Sequence, residues 1–242
     1  MTEMTLVEQA RAMVEREPKL EGAVGTADRL GRLCRATVHA LPAAGAGVSV
    51  MGADGARGVA AISDPEDLWL AELQFTLGEG PCLDAHSWGR PVLVPDLDAA
   101  AIRRWPSYAP AAVEKGVRAV FAFPMQIGAA RLGVFDVYRE QAGSLSKPAF
   151  SQAVAFADVA LTTLLDGQHD APRGEAALGL GEALESRAVI YQAQGMVTVQ
   201  LGVDVTEAMA RIRAYAYANQ QPITGVARDI VSRKIRLEDD RS

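Results

Sequence analysis

The spacing of apolar residues predicts helices at both ends of the first two thirds of the chain. Residues 3–17 and 26–40 follow a helical period, and a longer helix is predicted from about Lys147 to Leu165. Pro42 and the small residues after it end the second helix. Each of these segments has one apolar face, so each is expected to pack on a core.

Runs rich in β-branched and aromatic residues lie between these helices and predict strands. "GVSVMG" and "RGVAAIS" flank an Asp-Gly connection typical of a hairpin, "RPVLVPDL" is a short strand, and "RAVFAFPMQI" and "RLGVFDVYRE" carry the strongest strand signals. "PEDLWLAELQFT" and the proline-interrupted "WPSYAPAAVEKG" favour helix. Helices around a mainly antiparallel sheet predict an α+β fold.

A Gly- and Pro-rich stretch then interrupts all periodicity, and only helical patterns follow it. The predicted organisation is listed in chain order: an N-terminal helix at 1–19, an α+β domain at 20–168, a linker at 169–181, a three-helix domain at 182–236 and an acidic tail at 237–242.

The boundaries of the tail helices have clear signals. Asp204, with Glu207 three residues later, predicts the start of the second tail helix, and Asn219 its end. Pro222 suits the first position of the third helix, and Asp229 and Arg233 are spaced for an ion pair on it.

The first tail helix contains a glycine that its pattern does not explain. One stripe is apolar, and a second stripe is polar and consists of Arg187, Tyr191, Gln194 and Thr198. Gly195 adjoins this polar stripe, although a glycine inside a helix costs about 1 kcal/mol relative to alanine. Two explanations remain open: Gly195 lets two helices pack closely, or it exposes backbone as a contact surface.

Composition and charge narrow the class of protein. The chain has 242 residues, 49% of them hydrophobic, and a net charge of −6, yet residues 187–236 carry +4 and residues 1–186 carry −8. A basic segment on an acidic body permits a polyanionic partner. Two cysteines and three scattered histidines predict neither a disulfide framework nor a metal site. With no signal peptide and no long apolar run, we expect a cytoplasmic protein with no membrane contact.

The tail resembles the ANTAR domain over about residues 182–236. The resemblance lies in a spaced set of residues: Arg187, Ile190, Ala193, Gly195, Met196, Ala208, Ile212, Arg213, Asn219, Ile223, Val226, Ala227 and Ile230. It implies an RNA-binding transcription antiterminator that recognises paired stem-loops in leader transcripts, usually as a homodimer. We expect RNA contacts from the following residues: Arg187, Tyr191, Gln194, Gly195, Thr198, Arg213 and Asn219. The family most often has lysine where this chain has Gln194.

The body resembles a GAF domain over about residues 20–168, on "LGEGPCLDAHSWGRPVLVPDL", "RWPSYAPAAVEKGVRAVFAFPMQI" and "RLGVFDVYRE" in this order. Such domains often bind a small molecule on one sheet face, but the fold does not identify the ligand, so any cofactor is unknown. Candidate ligand-binding residues are Cys82, His86, Trp105, Phe121 and Phe123. The loop "GEGPC" also predicts free amides near Cys82 that suit an anion.

These patterns together predict a regulator in which the body senses a small molecule or partner and controls RNA binding by the tail. The signal is expected to change the placement of the tails rather than their fold, and no catalytic residue is needed. The alternatives are a DNA-binding regulator, which needs a basic recognition helix, and a thiol-dependent reductase that uses Cys82. Apolar seams on 3–17, on 147–165 and around Leu180 and Leu184 suit a homodimer.

Overall fold

A computed structural model describes residues 4–19, 25–51, 57–170, 180–219 and 221–237. Within these ranges, the backbone alone is described at residues 57, 168–170 and 180–187. The predicted Asp-Gly turn and most of the predicted linker lie outside the described residues.

Ten helices, five strands and one 3-10 helix make up the described part of the chain. The body contains, in order, α1 (Leu6–Arg16), α2 (Gly25–Ala40), β1 (Gly45–Met51), β2 (Arg57–Ile62), the 3-10 helix (Pro65–Asp67), α3 (Leu68–Leu77), α4 (Pro81–Trp88), β3 (Val92–Val94), α5 (Ala99–Arg104), α6 (Tyr108–Glu114), β4 (Ala119–Ile127), β5 (Ala130–Arg139) and α7 (Lys147–Asp170). The tail contains α8 (Leu180–Leu201), α9 (Val205–Ala218) and α10 (Ile223–Val231).

The five strands form one antiparallel sheet in the order β2-β1-β5-β4-β3. Two register shifts, at Val48/Ser49 and at Met125/Gln126, mark bulges. The predicted α+β fold is therefore confirmed, and every strand predicted from the sequence belongs to this sheet.

The two faces of the sheet bury two separate hydrophobic cores. One core lies under α1, α2 and α7 and contains Phe121, Phe123 and Phe135. The other lies under α3 to α6 and contains Cys82 and Trp105. Successive strand residues point to opposite faces, which is why neighbours on β4 enter different cores. A fully buried phenylalanine contributes on the order of 2–3 kcal/mol, so both cores stabilise the body.

Helix α7 belongs to the first core rather than to a surface. Its segment Lys147–Gly167 has the length and hydropathy of a membrane span, but half of it is buried inside the protein. It packs against α1 and α2, and Ala10 and Val14 of α1 are buried in the same core. Part of the apolar seams predicted for a dimer on α1 and α7 therefore packs within the chain, whereas Leu6 of α1 remains 46% exposed.

The tail forms a third core, and its helix boundaries mostly follow the prediction. Asp204 caps α9 by accepting a hydrogen bond from the Glu207 amide (2.8 Å), and Asn219 ends the helix. Two details were wrong. Pro222 precedes the first residue of α10 as its N-cap. Asp229 pairs with Lys234 at 3.4 Å instead of Arg233, because α10 has ended before Arg233 and that residue takes a positive φ of 59°.

Candidate nucleic-acid interface and buried polar cluster

The polar stripe predicted on α8 is only partly available to a ligand. Tyr191 is 40% exposed, whereas Gln194 donates through Nε2 to the carbonyl of Val205 (2.6 Å) and so ties α8 to the start of α9. Thr198 is half-buried. The Arg187 side chain lies outside the described residues. Of the described side chains of this stripe, Tyr191 is therefore the exposed one, and Gly195 next to the stripe is exposed as well.

Gly195 faces open space. A Cβ built on it would meet nothing within 4 Å, apart from the helix's own backbone, and the residue is exposed. Within the described part of the chain no helix approaches Gly195, so close packing of two helices there does not explain this glycine. What remains is a patch of helix surface without a side chain.

A groove of about 780 Å³ runs over this patch between α8 and the chain that follows α10. It is lined by residues of both segments: Gln192, Gly195, Met196, Val199, Gln200, Ile230, Arg233, Ile235 and Arg236. Val199 is 85% exposed, so one wall is apolar and open, and Arg233 and Arg236 contribute positive charge. Flat apolar surface beside guanidinium groups suits an unstacked base and its phosphate.

Most of the residues that line this groove were not predicted from the sequence. The α8 residues that line it lie beside the polar stripe, at spacings of three and four residues through Gln192, Met196 and Val199, and this period was the available signal. Arg233 and Arg236 join them because the chain turns at the end of α10, which no periodicity indicates.

The structure also describes the two remaining predicted RNA contacts, Arg213 of α9 and Asn219 at the end of this helix. Arg213 lies against the body: a Cβ at Gly78 would be 2.7 Å from its Nη1 and 3.0 Å from its Cζ. Asn219 is exposed, and its Nδ2 donates to the carbonyl of Tyr215 at 2.8 Å, which closes the helix end. Neither residue lines the groove, so a single surface formed by all seven predicted residues is not present.

The candidate ligand residues of the body also divide between two places. Cys82 and Trp105 lie in the core under α3 to α6, with His86 one turn after Cys82 on α4. Phe121 and Phe123 lie on the opposite sheet face, where Phe123 packs 5.8 Å from the ring of Phe150. The expectation that they wall one pocket is wrong, because Phe121 and Phe123 point to the sheet face opposite the one that α4 and α5 cover.

The loop before α4 uses its polar groups in hydrogen bonds between helices, so these groups are not available to an anion. The amide of Cys82 donates to Oε1 of the buried Gln74 at 2.8 Å, so the predicted free amide is already satisfied. Glu79 accepts from the amides of Ser107 (2.6 Å) and Tyr108 (2.9 Å) and caps α6. Pro81 occupies the first turn of α4 as predicted.

A polar cluster beside Cys82 was not predicted. Asp136 of β5 is buried, and burial raises its pKa to about 7, although a hydrogen bond with the Cys82 thiol opposes this shift. Tyr108 is fully buried nearby, and burial together with the Asp136 charge raises its pKa. Within the described ranges, neither the Tyr108 hydroxyl nor Oδ1 of Asp136 has a hydrogen-bond partner. A bound molecule that supplied such partners would be stabilised here.

No group of three metal-ligating side chains occurs in the part of the chain that the structure describes. The Cys82 and His86 pair therefore has no third ligand there.

Comparison with known proteins finds a family match for the tail and a fold match for the body. The ANTAR domain family matches residues 179–231. The structure is similar to the GAF domain of a phosphoenolpyruvate-protein phosphotransferase from Acinetobacter, with a TM-score of 0.50 and 15% identity over 70% of this chain and 98% of that one. It is also similar to the corresponding domain from Coxiella burnetii, with a TM-score of 0.51 and 14% identity over 68% and 93% of the two chains.

No curated protein matches the sequence at a significant level. The family match and the fold agree with the two resemblances seen in the sequence: a GAF-type body is followed by an ANTAR domain. ANTAR domains belong to RNA-binding antitermination regulators.

Proposed function

We propose that this chain, a GAF-type body joined to an ANTAR domain, is a cytoplasmic regulator that binds stem-loop leader RNA and prevents transcription termination. The body senses a small molecule or a partner and controls this binding. The active form is a homodimer, which places two ANTAR domains against two stem-loops. No step of this function requires a catalytic residue.

The observation that carries the proposal is the groove over Gly195. Its floor lacks a side chain, so a base can approach the helix closely, and Val199 and Met196 offer apolar surface beside it. Arg233 and Arg236 stand at the same groove and can contact phosphates. The net charge of −8 on residues 1–186 repels RNA from the body, so the tail is the favoured surface for RNA binding.

Substitutions at Gly195 test this surface. We expect Gly195→Leu in the full chain to weaken binding to a tandem stem-loop RNA by tenfold or more, because base contacts are worth about 1–3 kcal/mol each. The matched control is Ala210→Leu, which adds the same side chain at an exposed position of α9. The probe is a labelled library of tandem hairpins with randomised loops, and affinity is measured by filter binding.

Charge and competitor experiments separate the alternatives. Arg233→Ala with Arg236→Ala should lower the slope of log affinity against log salt by about 1–2.

Equal affinity for duplex DNA would favour the DNA-binding alternative. Unchanged affinity of Gly195→Leu would remove the groove from the interface. The reductase alternative has little support, since both Cys34 and Cys82 are buried.

The binding site for the signal is proposed beside Cys82, where Tyr108 of α6 and Asp136 of β5 have buried polar atoms without a hydrogen-bond partner among the described residues. Asp136→Asn should weaken the response of RNA affinity to the signal and leave RNA binding without the signal unchanged.

Light scattering measures the molar mass with and without RNA and so tests the proposed homodimer.

A further inference from the structure

Arg233 occupies a backbone position that normally belongs to glycine. It follows the end of α10 with a φ of 59°, in the left-handed region, and every other described residue with a positive φ is a glycine. Helices α3, α4 and α8 end at the same kind of position with Gly78, Gly89 and Gly202. A side chain crowds its own backbone in this conformation, so an arginine here costs stability that a glycine would not.

The turn after α10 has the hydrogen bonds of a Schellman motif. The amide of Arg233 donates to the carbonyl of Ile230 at 3.0 Å, and the amide of Lys234 donates to the carbonyl of Asp229 at 2.8 Å. These two bonds satisfy carbonyls at the helix end and hold Arg233 in the left-handed conformation. The motif needs a left-handed residue at this position, but it does not need an arginine.

The helix dipole does not explain this arginine either. A basic side chain near the carboxyl end of a helix interacts favourably with the dipole. Arg228 in the last turn of α10 already supplies such a charge from helical backbone, and Lys234 supplies another while it pairs with Asp229 at 3.4 Å. A third positive charge therefore does not require the strained position of Arg233.

The turn brings the chain back across α8, where it forms one wall of the groove over Gly195. Leu237 is buried in the core of the tail, and its carbonyl accepts a hydrogen bond from Nε2 of Gln200 on α8. Because the returning segment is held at this point, Arg233 and Arg236 both line the groove opposite α8. The left-handed residue thus lies at the groove itself.

Two residues of this groove are the opposite of what the backbone favours. Gly195 stands inside a helix, where a residue with a side chain is more stable, and Arg233 stands where glycine is more stable. Both residues are exposed, so packing within the described chain does not offset either cost. Strained backbone persists mainly at sites that bind or react. Two such costs at one groove are explained if the groove binds a ligand.

We propose that Arg233 determines which loop sequence the groove accepts: one unpaired base lies on the helix surface at Gly195, and the Arg233 guanidinium donates a pair of hydrogen bonds to its edge. This inference rests on the RNA-binding function proposed above and names a specificity-determining residue for it. A guanidinium presents two parallel donors, so it fits a base edge with two adjacent acceptors. Guanine offers such an edge with N7 and O6, and unpaired cytosine with N3 and O2, whereas adenine and uracil do not. Arg236 is then left for the phosphate.

Arg233→Gly in the full chain separates the cost of the position from its use. Glycine relieves the backbone and removes the guanidinium, so stability and RNA affinity should change in opposite directions. We expect the melting temperature to rise by about 1–3 °C. Affinity for the best-bound hairpins of the tandem-hairpin library should fall about tenfold. A residue with a purely structural role would not combine a more stable protein with weaker RNA binding.

Arg233→Lys tests the recognition of the base edge. Lysine keeps the charge but not the fixed pair of donors. The unmodified chain should select loops enriched in guanine or cytosine at one position, read by sequencing the bound library. Arg233→Lys should lose this enrichment while the dependence of affinity on salt is unchanged. The matched control is Arg236→Lys, the same replacement on the same wall of the groove, which should keep the enrichment.

The outcomes separate the inference from the function it rests on. If the unmodified chain binds hairpins but Arg233→Gly binds them equally well, or Arg233→Lys keeps the loop preference, the inference is overturned and RNA binding stands. A lower melting temperature of Arg233→Gly also overturns it, because the position then favours arginine for structural reasons. If the unmodified chain binds no hairpin of the library, the proposed function fails and the inference fails with it.

Discussion

Asp136→Asn provides a quantitative test of the buried cluster. Burial raises the pKa of Asp136 from 3.8 to about 7, so the folded protein retains a proton that the unfolded chain has already lost. For a raised pKa, the stability contribution is complete below the unfolded value and is lost as pH rises through the folded value. At about 1.36 kcal/mol per unit, the whole loss is about 4 kcal/mol, of which roughly 2–3 kcal/mol falls between pH 5 and pH 8.

The assay is urea unfolding followed by tryptophan fluorescence at several pH values. The unmodified chain should lose stability from pH 5 to pH 8, and Asp136→Asn should lose roughly 2–3 kcal/mol less over the same range, since the amide carries no charge. Asp158→Asn, at an exposed position of α7, is the control and should follow the unmodified chain. Parallel pH profiles for Asp136→Asn and the unmodified chain would refute the assigned pKa.

Three further substitutions test the packing of the body. Gly133→Ala should destabilise the protein by about 1–3 kcal/mol, because a Cβ there collides with the carbonyl oxygen of Ser49 on β1, and the melting temperature reports the loss. Gln74→Leu should cost about 1–3 kcal/mol by leaving the Cys82 amide unpaired, with unchanged stability contradicting the role given to Gln74. Thr5→Ala removes one half of the capping box with Glu8 and should lower amide protection in α1 by about 1 kcal/mol.

Local patterns in the sequence were sufficient for the element types and for several boundaries. Asp204 and Asn219 bound α9 as expected, because caps depend on residues three or four positions apart. The α+β body followed from strand and helix periods for the same reason. The ion pair of Asp229 was not predictable in this way. The rule that residues four positions apart can pair applies only inside a helix, and α10 ends before Arg233, so Asp229 pairs with Lys234 instead.

The candidate sites depend on contacts between segments that are distant in sequence, and such contacts are harder to predict from the sequence. Phe121 and Cys82 looked alike as pocket residues, yet Phe121 of β4 points into the core under α1, α2 and α7, and Cys82 of α4 lies in the core on the other sheet face. Asp136 sits in an apolar strand run where a carboxylate is unexpected, which was a usable but unused signal. The contact between Arg213 and Gly78 joins residues 135 positions apart, and nothing local to either residue indicates it.

The packing of the tail on α3 has a consequence for the exchange of parts between such regulators: Glu72 and Thr76 of α3 accept hydrogen bonds from the Thr224 hydroxyl and the Ile223 amide of α10. In sequence, the two units look separable at the linker, but in structure they share a helix. A chimera that receives a foreign tail leaves the outer side of α3 facing solvent, where it invites aggregation. Transplanting this tail alone leaves the first turn of α10 without its acceptor. A functional hybrid therefore has to carry Glu72 and Thr76 together with the tail that they fit.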